Sequence, residues 1–166
     1  MATTIDFDAA DANPYIEDGF SIADARIVNG NCPISGPCLA LNNNEASVLT
    51  RVDGGLFDLD SMSFRLLGNG VGNTLFVGET GAAPENIVSF SVPAFAKNTT
   101  HFYDFGAVFE AVSSITFYTT NGGNARIDGV NLTAVQTASP IPLPAAAWML
   151  LAGLGGIAAL SRRKAA

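Results

Sequence analysis

Three carboxylate residues near the two ends of the acidic part of the chain could bind a calcium ion. Glu17 and Asp18 follow the first strand-like stretch, and Asp128 lies in the last one. Calcium takes six to eight oxygen ligands from carboxylates and backbone carbonyls, so a Ca²⁺ site could form where the first and last strands meet. The alternative is that these acids are solvated turn residues, because they lack the spacing of a contiguous calcium-binding loop.

Aromatic side chains on a concave sheet face could bind a sugar. The candidates are Tyr15, Phe102, Tyr103 and Tyr118. Together with the calcium residues, they define one hypothesis for the function, a calcium-dependent carbohydrate-binding module.

Motifs of the common enzyme classes are missing from the sequence. It contains no GxSxG, HExxH or GxxxxGK[ST], which mark nucleophile, zinc and phosphate sites. We therefore expect that the protein is not an enzyme. A small glycoside hydrolase stays open as a less favoured alternative, because it needs only two carboxylates about 5–10 Å apart.

The charge distribution argues against nucleic-acid binding. All 15 acidic residues lie before residue 129, whereas three of the 8 basic residues, Arg162, Arg163 and Lys164, lie at the C-terminus. A region so rich in carboxylates repels a phosphate backbone, so no nucleic-acid partner is expected.

The two cysteines, Cys32 and Cys38, lie in one short segment with two prolines and a glycine. A cysteine pair in an exported chain predicts a disulfide that closes a short loop. The competing hypothesis, a redox-active pair, would favour a CxxC motif at a helix N-terminus, which this spacing does not provide.

Residues 2–136 have the pattern of an all-β domain. Short stretches with alternating or β-branched and aromatic residues are separated by turn dipeptides such as Asp18-Gly19 and Asn29-Gly30. The predicted strands are Thr3–Asp8, Phe20–Val28, Ser47–Val52, Leu56–Leu67, Thr74–Gly78, Ile87–Val92, Thr100–Asp104, Ser114–Thr120 and Ala125–Val135. Their number and spacing predict an antiparallel β-sandwich, jelly-roll-like in topology. In Leu56–Leu67 the apolar alternation changes phase, which predicts a bulge near Asp60-Ser61.

The C-terminal residues have the pattern of a membrane segment. Residues 137–144 form a Pro-rich linker, 145–161 an apolar stretch with one tryptophan, and 162–166 a basic tail. An uncharged apolar run that ends in a basic cluster predicts a transmembrane helix with a cytoplasmic stop at Arg162, Arg163 and Lys164. Residues 1–138 would then lie on the outer side of the membrane.

The same residues resemble a bacterial sorting signal. Ile141, Pro142, Leu143, Pro144 and Ala145, followed by the apolar stretch and the basic tail, resemble the VPLPA form of the PEP-CTERM signal, with Ile141 where the commonest form has valine. The resemblance implies recognition by exosortase, a membrane-embedded processing enzyme, transient anchoring in the inner membrane of a Gram-negative bacterium, and delivery to the cell surface or extracellular matrix.

The body resembles jelly-roll domains that are common on PEP-CTERM proteins, through Tyr15–Phe20, Gly54–Leu59 and the closing Arg126–Val130. The closing strand of that family usually has asparagine where this chain has Gly129. These domains are similar to the sandwiches of carbohydrate-binding modules.

The leading hypothesis is an exported structural or adhesive protein of an exopolysaccharide matrix or biofilm, with exopolysaccharide as a possible partner. Residues 1–6 enter strand-like sequence directly, so we expect the sequence to begin near the mature N-terminus of the exported protein.

Overall fold

The computed structural model describes residues 1–68, 73–80, 86–120 and 122–136. It confirms the predicted all-β antiparallel sandwich of two sheets. The strands are β1 (Ala2–Ile5), β2 (Tyr15–Glu17), β3 (Phe20–Ala23), β4 (Ile27–Val28), β5 (Cys38–Asn42), β6 (Ala46–Arg51), β7 (Phe57–Leu67), β8 (Thr74–Glu79), β9 (Ile87–Ser91), β10 (His101–Asp104), β11 (Ser114–Thr120) and β12 (Asn124–Ala134).

Each sheet contains six strands. Sheet 1 has the order β10-β7-β12-β5-β4, and β1 also pairs with β12. Sheet 2 has the order β2-β3-β6-β11-β8-β9. Strands β1 and β12, the first and last among the described residues, are thus hydrogen-bonded neighbours, with Ile5 opposite Val130.

The core between the sheets is formed by strands in which buried and outward-facing side chains alternate. In β11, Ile115 and Phe117 are fully buried, whereas Thr116 and Tyr118 are half-buried on the outer surface. Successive side chains of a strand point to opposite faces, so each strand contributes one apolar row to the core.

The predicted bulge at Asp60-Ser61 is confirmed. Asn131 pairs with Ser61 and the next residue, Leu132, pairs with Leu59, so Asp60 is the extra residue of β7. The extra residue brings both Leu59 and Met62 into the core, where both are fully buried.

One predicted strand was wrong, because Phe20–Val28 is two strands in different sheets. The first part is β3 of sheet 2 and the last part is β4 of sheet 1. The chain crosses between the sheets at Asp24, whose φ is 54°. Aspartate adopts this left-handed conformation more readily than most residues, which permits the sharp bend.

The predicted disulfide is present between Cys32 and Cys38. It closes a loop that lies over the outer surface of sheet 1. There, the Ile34 N–H donates to Asp128 Oδ2 at 3.2 Å, and the Thr100 hydroxyl donates to the Pro33 carbonyl at 2.9 Å.

Replacing both cysteines by serine is expected to lower the free energy of unfolding by about 2 kcal/mol, because the bond restricts a short loop in the unfolded chain. Urea unfolding of the oxidised protein and of the double variant measures the difference. The reduced wild type should unfold like the variant. Identical midpoints for the oxidised and reduced protein would contradict the expectation.

The predicted linker, sorting motif, transmembrane helix and basic tail all lie outside the described residues. Within the described part of the chain, no helix has the length and apolar character to cross a membrane.

Candidate functional site

Glu17, a predicted calcium ligand, is engaged in hydrogen bonds of the N-terminal segment. Its Oε2 accepts the Tyr15 hydroxyl at 2.7 Å and the Phe7 N–H at 3.0 Å. Burial raises the pKa of Glu17, and a hydrogen bond with the Asp6 carboxyl adds to the shift. The carboxylate therefore stabilises the turn that leads from β1 to β2.

Asp18 and Asp128 occupy separate environments. Asp18 accepts the Thr3 hydroxyl at 2.8 Å. Asp128 is buried and accepts two backbone N–H groups, from Gly129 at 2.8 Å and from Ile34 at 3.2 Å. Within the described ranges, no three His, Cys, Asp or Glu side chains form a group that could hold a metal ion.

Two carboxylates in a groove would favour a glycoside hydrolase. Glu17 accepts the Asp6 backbone N–H at 3.4 Å as well as the Phe7 N–H and the Tyr15 hydroxyl, so its carboxylate is engaged by the fold. A groove of about 660 Å³ lies beside β3 and contains Asp18 and Asp53. Asp53 is paired with Arg51, and both carboxylates of this groove therefore have partners.

The four aromatic candidates do not form one platform. Tyr15 is fully buried, and burial and the hydrogen bond to Glu17 raise its pKa well above the ordinary range. Tyr103 packs edge-on against Phe90 of the core. Phe102 is 65% exposed on sheet 1, whereas Tyr118 lies on the outer surface of sheet 2.

Tyr118 forms a stacked pair with Phe76, which was not among the sequence candidates. The two residues are opposite each other on β11 and β8. Their ring centroids are 4.7 Å apart and their planes differ by 7°, so the rings lie face to face. We refer to the outer surface of sheet 2 around Phe76 and Tyr118 as the aromatic face.

The aromatic face is uncharged. At the outward positions of its six strands, all within the described ranges, no side chain is ionisable except the Tyr118 phenol. Hydroxyl groups are frequent at these positions, among them those of Thr50, Ser89, Ser114, Thr116 and Thr120. In a chain with 15 acidic residues, this surface offers neutral donors and acceptors without a charge to desolvate.

Small residues flank the ring pair on both sides. The register places Ser89 of β9 next to Phe76, and Ala46 of β6 next to Tyr118. Both small residues are exposed. Each ring of the pair covers one face of the other ring. The second face of Phe76 is on the side of Ser89, and that of Tyr118 is on the side of Ala46. Because these two side chains are small, a flat six-membered sugar ring can approach either aromatic ring.

Comparison with known proteins finds similar sandwiches among carbohydrate-binding modules. No protein-family model and no curated protein matches the chain. A mutant of the family 29 carbohydrate-binding module CBM29-2 has a TM-score of 0.47 at 17% identity over 85% of this chain and 98% of its own.

Two further structures are similar at the level of the fold. The family 11 carbohydrate-binding module of the cellulosomal cellulase Lic26A-Cel5E of Clostridium thermocellum has a TM-score of 0.39 at 12% identity, covering 83% of this chain and 97% of its own. The enzymatically active domain of bacteriophage CBA120 tailspike protein 4 has a TM-score of 0.40 at 14% identity over 71% of this chain and 20% of its own. Because these TM-scores and identities are low, the similarities assign no ligand to this chain.

Proposed function

We propose that the protein is a non-catalytic, jelly-roll-like carbohydrate-binding domain that binds a neutral polysaccharide through the aromatic face. The observation that carries the proposal is the stacked Phe76–Tyr118 pair in the centre of an uncharged, hydroxyl-rich sheet surface.

The chemistry of a sugar chain fits this surface. A pyranose ring has an apolar face of C–H groups, which packs on the electron-rich face of an aromatic ring. Its hydroxyl groups act as both donors and acceptors, as do those of Ser89 beside Phe76 and of Thr116, two residues before Tyr118 on β11. A neutral polymer also needs no charged partner, and the described strand residues of this face provide none.

A binding assay with neutral polysaccharides tests the proposal. The full chain is incubated with insoluble β-glucan, β-mannan and galactan, and the bound fraction is measured by sedimentation. We expect retention on at least one polymer and a loss of about 5- to 150-fold in affinity for the Phe76→Ala/Tyr118→Ala variant, because two stacking contacts of about 0.5–1.5 kcal/mol each are removed.

Phe102→Ala is the control, because it removes an exposed aromatic ring from the other sheet, whereas the double variant removes two half-buried rings from sheet 2. It should bind like the wild type. Equal retention of the wild type and the Phe76→Ala/Tyr118→Ala variant, or no retention on any of the polymers, would contradict the proposal.

Parallel samples with calcium and with a chelator address the predicted metal residues. Retention that requires calcium would support Glu17, Asp18 and Asp128 as calcium ligands. Equal retention under both conditions would show that the aromatic face binds without the metal.

We further propose export by the exosortase route to a cell surface or matrix, where a polysaccharide-binding sandwich would act as an adhesive component. Support comes from the sorting-signal pattern of Ile141–Ala145 and Arg162–Lys164. The Cys32–Cys38 disulfide also supports it, because such bonds persist in oxidising compartments outside the cytoplasm.

A further inference from the structure

Three arginines form one row on the outer surface of sheet 1. Arg126 of β12 lies opposite Arg65 of β7 on one side and opposite Ala40 of β5 on the other. The Ala40 N–H donates to the Arg26 carbonyl at 2.8 Å, which places Arg26 at the end of the same row. At about 4.8 Å per strand, the row spans roughly 15 Å. We refer to Arg26, Arg126 and Arg65 as the arginine row.

The row points away from the core. The neighbours of Arg126, Ala125 and Ile127, are buried in the core, so alternation turns Arg126 outward. Arg26 is exposed, and Arg65 is half-buried. The row thus lies on the opposite side of the sandwich from the aromatic face.

No carboxylate of the described residues forms an ion pair with the arginine row. Of the described residues, only Arg51 and Asp53 form an ion pair. Arg65 donates to the Thr100 hydroxyl at 2.8 Å, and Arg126 donates to the Asn42 side-chain oxygen at 3.2 Å. These neutral acceptors hold the guanidinium groups in place and leave their charge unpaired.

The environment of Arg126 is unfavourable for a positive charge. Burial lowers its pKa, and repulsion from Arg26 lowers it further, whereas Glu45 acts in the opposite direction. The Nε atoms of Arg65 and Arg126 are both enclosed by protein and have no hydrogen-bond partner in the described part of the chain. Partial desolvation strengthens the attraction to an anion, because the effective dielectric constant is lower than in water.

An exposed aromatic ring lies at the end of the row. Thr100, which accepts from Arg65, is two residues before Phe102 along the chain. Phe102 pairs with Ser63 of β7 and is 65% exposed. A charged site with an adjacent ring suits a charged sugar better than a free inorganic ion, since the ring adds a surface for C–H groups.

We propose that the arginine row is a second binding site, which takes the carboxylate or sulfate groups of an acidic polysaccharide. Guanidinium groups bind such anions through two parallel hydrogen bonds, and three of them in one line match a chain that carries repeated anionic groups. The site is separate from the aromatic face, so a molecule with both sites can link an acidic chain to a neutral one.

Nucleic acid is the less favoured polyanion. Residues 1–136 contain all 15 acidic residues of the chain and only five basic ones, Arg26, Arg51, Arg65, Lys97 and Arg126. A chain with a phosphate at every nucleotide would be repelled by the acidic surface around the row. An acidic polysaccharide also presents the C–H face of a sugar ring to the exposed Phe102 side chain, which gives it a favourable contact besides its charge.

The test measures binding of the full chain to polygalacturonate, which carries carboxylates, to dextran sulfate and to single-stranded DNA at low salt. We expect binding to at least one of the two acidic polysaccharides, with an affinity that falls as the salt concentration rises. The Arg65→Gln/Arg126→Gln variant should bind at least tenfold more weakly. Glutamine keeps an amide donor for Thr100 and Asn42 but removes the charge.

Two further variants keep the result interpretable. Arg26→Gln changes an exposed residue at the end of the row, so it should fold normally and still weaken binding. Arg51→Gln removes the same charge outside the row and should bind like the wild type once thermal unfolding shows that it is folded. The Phe76→Ala/Tyr118→Ala variant should also keep its affinity for the acidic polymer, so failure of the aromatic-face proposal is detected separately.

Three results would overturn the inference. They are unchanged affinity of the folded Arg65→Gln/Arg126→Gln variant, no binding of the wild type to either acidic polysaccharide, and binding to DNA as tight as to both polysaccharides.

Discussion

Replacing Phe64 by alanine is expected to lower the free energy of unfolding by about 3–5 kcal/mol, the largest effect of any change considered for this protein. The Phe64 side chain is fully buried. Its ring centroid lies 4.4 Å from that of Phe90, 5.3 Å from that of Phe95 and 5.4 Å from that of His101. Phe64 belongs to sheet 1 and Phe90 to sheet 2, so the substitution opens a cavity between the two sheets. Urea unfolding followed by circular dichroism measures the loss.

Phe102→Ala is the control for this prediction, because Phe102 lies next to His101 on β10 but is 65% exposed. We expect it to change stability by less than about 0.5 kcal/mol. Similar losses for both variants would contradict the assignment of Phe64 to the core.

The sandwich could be predicted because apolar and polar side chains alternate along its long strands, and this alternation is visible in the sequence. In Leu56–Leu67, the positions of Phe57 and Leu59 and then of Met62 and Phe64 identified both the buried face and the bulge that separates the two phases. This information is local, since it depends only on the alternation of side chains along one strand.

A short strand that is buried on both faces shows no such alternation. β5 was missed because Cys38, Leu39, Ala40 and Leu41 are all buried, so its sequence does not alternate. One side of β5 faces the core, and the other is covered by the disulfide loop and the arginine row. The disulfide is predicted from Cys38, but β5 itself does not indicate that the loop lies over the strand or that the arginines flank it.

Both proposed sites depend on strand register, which the sequence alone does not determine. Phe76 and Tyr118 are brought together by the pairing of β8 with β11, although 42 residues separate them. Arg26, Arg65 and Arg126 come from three distant segments and share no local motif. Tyr15 was a plausible platform residue by type, but its hydroxyl has partners in Glu17 and the Ala9 N–H inside the fold.

Gly129 meets a backbone requirement of the closing strand. Gly129 has a φ of 55° and lies where the pairing of β12 with β7 shifts register. Glycine and asparagine are the residues that adopt this left-handed conformation most readily. Glycine therefore suits position 129, where the backbone is left-handed.

Asp128→Ala is expected to cost about 3 kcal/mol of stability, the second largest effect. Asp128 is 2% exposed and accepts the N–H groups of Gly129 and Ile34, and each buried donor without a partner costs about 1–3 kcal/mol. Asp128→Asn keeps one acceptor oxygen and should cost less. Urea unfolding of both variants at pH 7 measures these differences.

The pH dependence of the Asp128→Asn effect separates the role of the hydrogen bonds from that of the charge. Burial raises the pKa of Asp128, and repulsion from Asp6 and Asp8 contributes, so the folded protein holds this proton at pH values where the unfolded chain, with an ordinary pKa of about 3.9, has lost it. The stability contributed by Asp128 is therefore complete below the unfolded pKa and decreases as the pH rises through the folded pKa. Asparagine does not titrate, and so Asp128→Asn should be more destabilising near pH 4 than at pH 7. A larger loss at pH 7 would mean that the ionised carboxylate, despite its burial, is the form that the fold prefers.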